Sequence, residues 1–163
     1  MKKKPLAHNS SPNLFAAANQ EQLFQQAPLS YRMRPRSLSE YIGQKHILGE
    51  GKLLARAIES DRLSSVILYG PPGIGKTTLA YCISQKTKAN FEHINAVSSN
   101  VEEMRRILAT SRSRWTTTTV KTVLFIDEIH RFNKSQQDVL MPDLEEGHVI
   151  LIGATVFNPF FAL

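Results

Sequence analysis

Apolar residues recur along the chain with two periods, and their alternation predicts a succession of strands and helices. Short continuous apolar runs predict buried strands, whereas apolar positions three or four residues apart predict helices. The four predicted strands are Val66–Tyr69, Phe91–Asn95, Thr122–Ile126 and Val149–Ile152. Because helical segments separate these strands, we expect right-handed crossovers and an α/β fold with a mostly parallel sheet.

Helices are predicted where the apolar period is close to 3.6 residues or where a capping pattern marks a start. Ser37 and Glu40 fit a capping box, which predicts a short helix that ends near Gly43. Pro142 is expected to end the last helix, because the residue before a proline disfavours the helical conformation. The other predicted helices are Gly51–Ser60, Lys76–Lys86, a segment from Val101 that ends before a Thr116–Thr119 surface loop, and Ser135–Met141.

Composition limits the classes to which the chain can belong. Its 163 residues, 42% hydrophobic and 21% charged, suit one soluble domain with a short tail. No apolar run approaches the roughly 20 residues that span a bilayer, and the N-terminus lacks the apolar stretch of a secretory signal. The lone Cys82 cannot form an internal disulfide, which indicates a reducing, cytoplasmic compartment.

The formal net charge of +6 is concentrated at the N-terminus. Residues 1–36 hold six basic and one acidic side chain, whereas the remaining 127 residues are almost balanced. We expect residues 1–27 to form a flexible basic arm, which either attracts nucleic-acid phosphates or is simply solvated. Within it, Gln20–Phe24 resembles the short peptide with which bacterial proteins dock on the sliding clamp.

A complete phosphate-loop motif, G-x-x-x-x-G-K-[ST], lies between the first predicted strand and the helix that follows it. Its glycines let the backbone curl so that successive N–H groups point at phosphate oxygens, close to a helix N-terminus. Lys76 is expected to bridge the β- and γ-phosphates of ATP, and the Thr77 hydroxyl to ligate Mg²⁺. The predicted nucleotide-binding residues are Gly70, Pro71, Pro72, Gly73, Ile74, Gly75, Lys76, Thr77 and Thr78.

Two acids, Asp127 and Glu128, follow the clearest buried strand. Ligands of parallel sheets bind beyond the carboxyl ends of the strands, so Asp127 is predicted to hold Mg²⁺ directly or through water. Glu128 is predicted to polarise a water for attack on the γ-phosphate. Asn95 ends a strand on the same edge, where its amide either holds Glu128 away from that water or merely closes a turn.

Other polar residues give weaker patterns. Thr155 and Asn158 follow the fourth strand and are candidates for sensing the γ-phosphate, although Asn158 precedes a proline and also suits a plain turn. The five histidines are scattered and Cys82 has no partner at ligand spacing, so no transition-metal site is predicted. Arg131 and Lys134 either face nucleic acid or a neighbouring subunit, or belong to a solvated loop.

These motifs, taken together, resemble one family from residue 28 to residue 163. The chain is similar to the N-terminal ATPase part of the replication-associated recombination protein A family of AAA+ ATPases, whose eukaryotic relatives are the Werner-helicase-interacting ATPases. An Ile-His-Arg-Phe-Asn-Lys-x-Gln-Gln-Asp string separates that family from clamp loaders and from RuvB-type branch-migration motors. The matching segments are Ala27–Pro35, Tyr41–His46, the phosphate loop, Phe125–Asp138 and Ile152–Thr155.

The resemblance implies a P-loop AAA+ core that acts at stalled replication forks and in recombination. It implies ATP and Mg²⁺ as cofactors, and DNA, single-strand-binding protein and other copies of the chain as partners, in the cytoplasm at the nucleoid. It also implies that Ile42 and Gly43 border the adenine pocket. Val156 stands where the family usually has a hydroxyl-bearing residue, which leaves the identity of the sensor open.

The family pattern continues beyond Leu163 with an arginine finger, a fifth core strand, a helical lid and an oligomerisation domain. We therefore expect a core that is truncated before the fifth strand and leaves Val66–Tyr69 as an exposed apolar edge strand. Because an arginine finger is worth about 10³–10⁵ in rate, nucleotide binding should survive better than turnover. The alternatives are a non-catalytic adaptor that binds DNA or the clamp through its arm, a RuvB-like branch-migration fragment, and an inert fragment.

Overall fold

The computed structural model describes residues 25–159, which divide into two units at the boundary between Arg34 and Pro35. In the first unit, α1 (Leu29–Arg32) is a single helical turn, and the Arg34 guanidinium lies 5.7 Å from the centre of the Tyr31 ring. The predictions for the basic tail and for the clamp-like peptide Gln20–Phe24 fall outside the described residues.

The second unit carries the predicted alternation of strands and helices. Its strands are β1 (Val66–Tyr69), β2 (Asn90–Asn95), β3 (Thr122–Asp127) and β4 (Val149–Thr155). Its helices are α2 (Lys45–Leu48), α3 (Leu53–Glu59), α4 (Lys76–Lys86), α5 (Val101–Thr118) and α6 (Lys134–Glu145), with short 3₁₀ turns at Leu38–Glu40 and Ile129–Arg131.

All strand pairs in this sheet are parallel, in the order β1-β4-β3-β2. The predicted α/β fold with a parallel sheet is therefore confirmed. Among the described residues β1 pairs with β4 alone, and its Ile67 and Tyr69 side chains are 38% and 57% exposed. The first strand is thus an edge that presents apolar side chains, as expected.

The core lies on both faces of the sheet, because side chains of the central strand β3 alternate between them. Val123 and Phe125 pack with Ile83 of α4 on one face, whereas Leu124 and Ile126 belong to the cluster on the other. Gly153 of β4 has no space for a side chain, since a Cβ there would lie 2.6 Å from the Ile129 side chain. The sequence places its only glycine within the strands at this close contact.

Helix α5 runs to Thr118, so the predicted surface loop at Thr116–Thr119 is wrong over three of its four residues. The hydroxyls of Thr116, Thr117 and Thr118 hydrogen-bond to backbone carbonyls three or four residues earlier, which helical geometry permits. Arg114 also fixes the last turns, because it donates to Thr122 Oγ1 at 3.0 Å. Tertiary contacts outweigh the low helix propensity of threonine here.

Helix α6 continues past Pro142 to Glu145, so the prediction that Pro142 ends it is also wrong. A proline inside a helix removes one backbone donor, and Pro142 lies on an exposed part of α6 where water can serve the freed carbonyl. The next residue, Asp143, is fully buried and accepts two hydrogen bonds of 2.6 Å from the Arg112 guanidinium. That contact fixes the last turn of α6 against α5.

The predicted capping box at Ser37 and Glu40 is absent. Ser37 Oγ pairs instead with Ser39 Oγ at 2.8 Å, and Glu40 Oε2 accepts from the Arg36 N–H at 3.0 Å. The segment therefore makes a short 3₁₀ turn, Leu38–Glu40, rather than a helix that reaches Gly43. A reciprocal capping box does form at the start of α6, between Asn133 and Gln136.

Cys82 lies fully buried on α4, and its thiol donates to the Pro35 carbonyl at 3.4 Å. Burial raises the pKa of this thiol, which keeps it neutral and inert. It is therefore a packed helix residue, as the sequence indicated. Across residues 25–159, no helix has both the length and the apolar character that crossing a bilayer requires.

The buried carboxylate of Asp143 gives a first prediction. In addition to Arg112, it contacts His148 Nε2 at 2.9 Å, and His148 is only 2% exposed. Asp143→Ala leaves Nε2 of that imidazole without its partner, while Nδ1 still faces Glu146 at 3.5 Å and the half-exposed Arg112 can be rehydrated. We expect a loss of about 2–3 kcal/mol in the free energy of unfolding, measured by urea denaturation. Asp138→Ala, on the exposed side of α6, is the matched control, and equal losses for the two variants would contradict this account.

Candidate nucleotide-binding site

The carboxyl ends of the four strands bring polar residues to one edge of the sheet. The parallel register pairs Asn95 with Asp127 across β2 and β3, and Tyr69 with Thr155 across β1 and β4. Because the strand order is β1-β4-β3-β2, these four residues follow one another along that edge. The fold thus collects the predicted polar strand ends at the position where parallel sheets bind ligands.

The phosphate loop leaves the end of β1 and turns into α4 at Lys76. Its first residue is tied to the sheet, since the Gly70 N–H donates to the Thr155 carbonyl at 3.2 Å. The Lys76 ammonium then closes the loop from inside, with hydrogen bonds of 2.8 Å to Gly70 O and 2.9 Å to Pro71 O. The loop therefore curls around its own lysine, with the α4 N-terminus directly behind it.

Tyr41 braces the far side of the loop, a contact that sequence reasoning missed. Its hydroxyl donates to Ile74 O at 3.2 Å and approaches Gly75 O at 3.4 Å. Gly75 has a φ of +90°, and a Cβ there would lie 2.9 Å from the Tyr41 hydroxyl, so this position requires glycine. Burial raises the pKa of Tyr41, which keeps the phenol a neutral donor.

The predicted metal ligands are oxygen donors on neighbouring elements. Thr77 and Thr78 lie half-buried in the first turn of α4, and Asp127 lies half-buried at the end of β3. The Asp127 carboxylate accepts the Glu128 N–H at 3.1 Å, which fixes one of its oxygens. A hydroxyl and a carboxylate are the hard ligands that Mg²⁺ prefers. Within residues 25–159, no cluster of histidine, cysteine and acidic side chains suits another metal.

Glu128 follows β3 in the left-handed conformation, with a φ of +55°. This backbone turn carries its carboxylate to a point where Oε2 lies 3.3 Å from His130 Nε2. The Asn95 side chain makes no hydrogen bond to Glu128 and instead accepts the Val97 N–H at 2.9 Å. The structure therefore shows Asn95 closing a turn, which was one of the two alternatives, and a role toward Glu128 stays a prediction.

Thr155 is 1% exposed at the end of β4. Its hydroxyl oxygen accepts the Phe157 N–H at 3.0 Å and lies 3.2 Å from His130 Nδ1. His130 thus lies between the candidate sensor Thr155 and Glu128. The sequence had given little reason to distinguish this histidine from the other four. The position of His130, three residues after Asp127 and just beyond the end of β3, was the only available indication.

A cavity of about 320 Å³ opens beside the phosphate loop. Tyr41, Gln44, Ile47, Tyr69 and Ile74 are among the residues that line it. The two residues that the resemblance assigns to the adenine pocket do not line this cavity: Ile42 is 96% exposed and Gly43 is exposed. Tyr41 and Gln44, on either side of these two residues, line the cavity instead, and the assignment of Ile42 and Gly43 to an adenine pocket stays a prediction.

Comparison with known proteins identifies the domain. Residues 33–156 match the family model of the Holliday junction DNA helicase RuvB P-loop domain. The chain belongs to the RuvB P-loop domain family. A P-loop domain of this family is a nucleotide-binding AAA+ ATPase domain, and the four-stranded core described above contains its phosphate loop and strand-end acids.

Within this family the chain is similar to replication-associated recombination protein A. It is 52% identical over 136 residues to that protein of Escherichia coli K12 and 43% identical to that of Bacillus subtilis 168. These alignments cover 83% of the chain but only 30% and 31% of the two relatives. The predicted resemblance to the N-terminal part of these proteins is therefore confirmed.

Solved structures of the RuvB Holliday junction branch migration motor from Thermotoga maritima share the fold. One has a TM-score of 0.60 and 34% sequence identity, and the match covers 78% of this chain and 45% of that one. The P-loop AAA+ core that the resemblance implied is thus confirmed for the described residues.

The brace between Tyr41 and the phosphate loop gives a second prediction. Tyr41→Phe removes the hydroxyl and leaves the ring, so the Ile74 and Gly75 carbonyls lose their donor. We expect about 1 kcal/mol less stability and faster amide hydrogen exchange at residues 74–77. Tyr69→Phe on the exposed edge strand is the control. Unchanged exchange in the loop of Tyr41→Phe would show that the hydroxyl does not hold it.

Proposed function

We propose that this domain binds ATP with Mg²⁺ and hydrolyses it to ADP and phosphate. The observation that carries this proposal is the phosphate loop itself, curled around the Lys76 ammonium at the sheet edge that also carries Asp127 and Glu128. An ordinary strand-to-helix turn does not require a lysine ammonium hydrogen-bonded to its own carbonyls. A loop that binds phosphate needs that charge inside.

The residues of the loop fit the phosphates of a nucleoside triphosphate. The Lys76 ammonium exchanges its two carbonyl partners, Gly70 and Pro71, for phosphate oxygens, while the loop N–H groups and the α4 N-terminus supply further positive potential. Thr77 and Asp127 would hold Mg²⁺, which supplies charge neutralisation at the phosphates. The cavity that Tyr41 and Gln44 line is the proposed site of the base.

Glu128 is the proposed general base. Its carboxylate lies at the end of β3, one residue beyond the proposed metal ligand, and there it can orient a water in line with the γ-phosphate. Thr155, and Asn158 beyond it, remain candidates for sensing that phosphate. Asn95 stays a candidate for restraining Glu128, which would require its side chain to leave the Val97 N–H.

We infer the biological setting from the relatives. The similar proteins are named for replication-associated recombination and for Holliday junction branch migration. We propose that the domain acts on DNA at replication forks and in recombination, in the cytoplasm at the nucleoid, as part of a homo-oligomer. The same proposal includes binding of single-strand-binding protein and docking on the sliding clamp through Gln20–Phe24.

A RuvB-like branch-migration function is the alternative. The identity of 52% to replication-associated recombination protein A, against 34% to the RuvB motor, favours the former. No contact among the described residues favours a non-catalytic adaptor, whose proposed arm lies outside them.

Removing the Lys76 ammonium tests the binding site. Lys76→Ala should abolish binding of a fluorescent ATP analogue, because no other described cation lies within the loop. Lys86→Ala, at the exposed last turn of the same helix, should bind as the unmodified chain does. Equal affinities for Lys76→Ala and Lys86→Ala would show that the phosphate loop is not the nucleotide site.

Replacing the proposed base separates binding from chemistry. Glu128→Gln keeps the size and a polar end but loses the proton acceptor, so ATP affinity should change little while phosphate release falls by about 10²–10⁴-fold. Phosphate release is measured with and without DNA, and Glu102→Gln on the exposed face of α5 serves as control. Hydrolysis that persists in Glu128→Gln would assign the base to another residue.

A further inference from the structure

His130 lies between the two groups that the proposed reaction uses at the strand ends. Its side chain is 8% exposed, with Nε2 facing Glu128 Oε2 at 3.3 Å and Nδ1 facing Thr155 Oγ1 at 3.2 Å. The Nε2 contact falls outside hydrogen-bond geometry, so this buried nitrogen has no hydrogen-bond partner among the described residues. An unpartnered buried nitrogen aimed at a carboxylate is costly unless the two groups act together.

The neighbours of the ring select one tautomer. A carboxylate is an acceptor only, so the nitrogen that faces Glu128 is favoured as Nε2–H. Nδ1 is then left as an acceptor. The Thr155 hydroxyl hydrogen has two acceptors within reach, Nδ1 at 3.2 Å and the Phe157 carbonyl at 3.3 Å, while its oxygen accepts the Phe157 N–H at 3.0 Å. With Nε2–H facing Glu128, Nδ1 carries no hydrogen, so its 3.2 Å contact with Thr155 is a hydrogen bond when the hydroxyl points at Nδ1 rather than at the Phe157 carbonyl.

The ring is also fixed to the segment that follows β4. The His130 and Phe157 rings meet edge to face, with centroids 4.6 Å apart and planes at 73°. Thr155 and Phe157 thus hold the imidazole from two sides, one polar and one apolar. Any displacement of this segment relative to β3 changes where Nε2 points, and with it the place available to the Glu128 carboxylate.

We propose that His130 is a positioning residue that sets the orientation of the Glu128 carboxylate according to the position of Thr155 and Phe157. The proposal rests on the proposed hydrolysis at Glu128, but its structural part concerns contacts within the chain alone. His130 would then link the proposed base to the end of β4, where a sensor of the γ-phosphate is expected.

The structural part is tested without nucleotide. In the full chain labelled with ¹⁵N-histidine, the imidazole ¹⁵N shifts should show His130 mainly as Nε2–H. Thr155→Val removes the hydroxyl that Nδ1 accepts from and should increase the other tautomer, as should Glu128→Ala. Thr122→Val is the matched control, because it also removes a buried hydroxyl from a strand but lies at the opposite end of β3. His130 shifts that match those of the exposed His46 in every variant would overturn the proposal.

The functional part is tested by two substitutions that preserve different ends of the imidazole. His130→Gln can place an amide donor toward Glu128, as Nε2–H does, whereas His130→Asn keeps only the group nearer the backbone. We expect His130→Asn and His130→Ala to lower phosphate release by roughly 10- to 100-fold at unchanged ATP affinity, and His130→Gln to recover most of it.

The two parts separate this inference from the proposed function. Equal rates in all three His130 variants, or a loss confined to ATP affinity, would overturn the positioning role. A chain that binds no ATP would refute the proposed function, and the tautomer measurement would still decide whether His130 couples Thr155 to Glu128.

Discussion

The parallel register of β3 between β2 and β4 is the constraint on which the site depends. It places Asp127 level with Asn95 and next to the end of β4, so the polar strand ends form one row. The strand is buried on both faces, and a shift by one residue would exchange its two apolar faces and displace the acids. The same strand register is therefore required both to pack the core and to place the acids at the sheet edge.

The phosphate loop depends on the same edge. Its first N–H bonds to the carbonyl of Thr155, and its lysine bonds to the carbonyls of Gly70 and Pro71. From Thr155 a second path leads through His130 to Glu128. The end of β4 thus contacts the phosphate loop directly and reaches the proposed base through His130, so the candidate sensor and the base are linked at this end of the sheet.

Features that depend on local pattern were predictable from the sequence. Strands β1, β3 and β4 are short apolar runs, and α4 begins and ends where its periodicity and the loop motif predict. Features that depend on distant partners were not. Helix α5 extends through its threonines because Arg114 is anchored on Thr122, and α6 passes Pro142 because Asp143 meets Arg112. Tyr41 and His130 likewise gain their roles from residues more than 20 positions away.

The most direct test of the central claim is a crystal structure of the chain with Mg²⁺ and a non-hydrolysable ATP analogue. The account predicts triphosphate density inside the curl of residues 70–77, with the Lys76 ammonium transferred from its two carbonyl partners to phosphate oxygens and Asp127 facing the metal. Saturating analogue bound elsewhere, with the lysine still on Gly70 and Pro71, would contradict it.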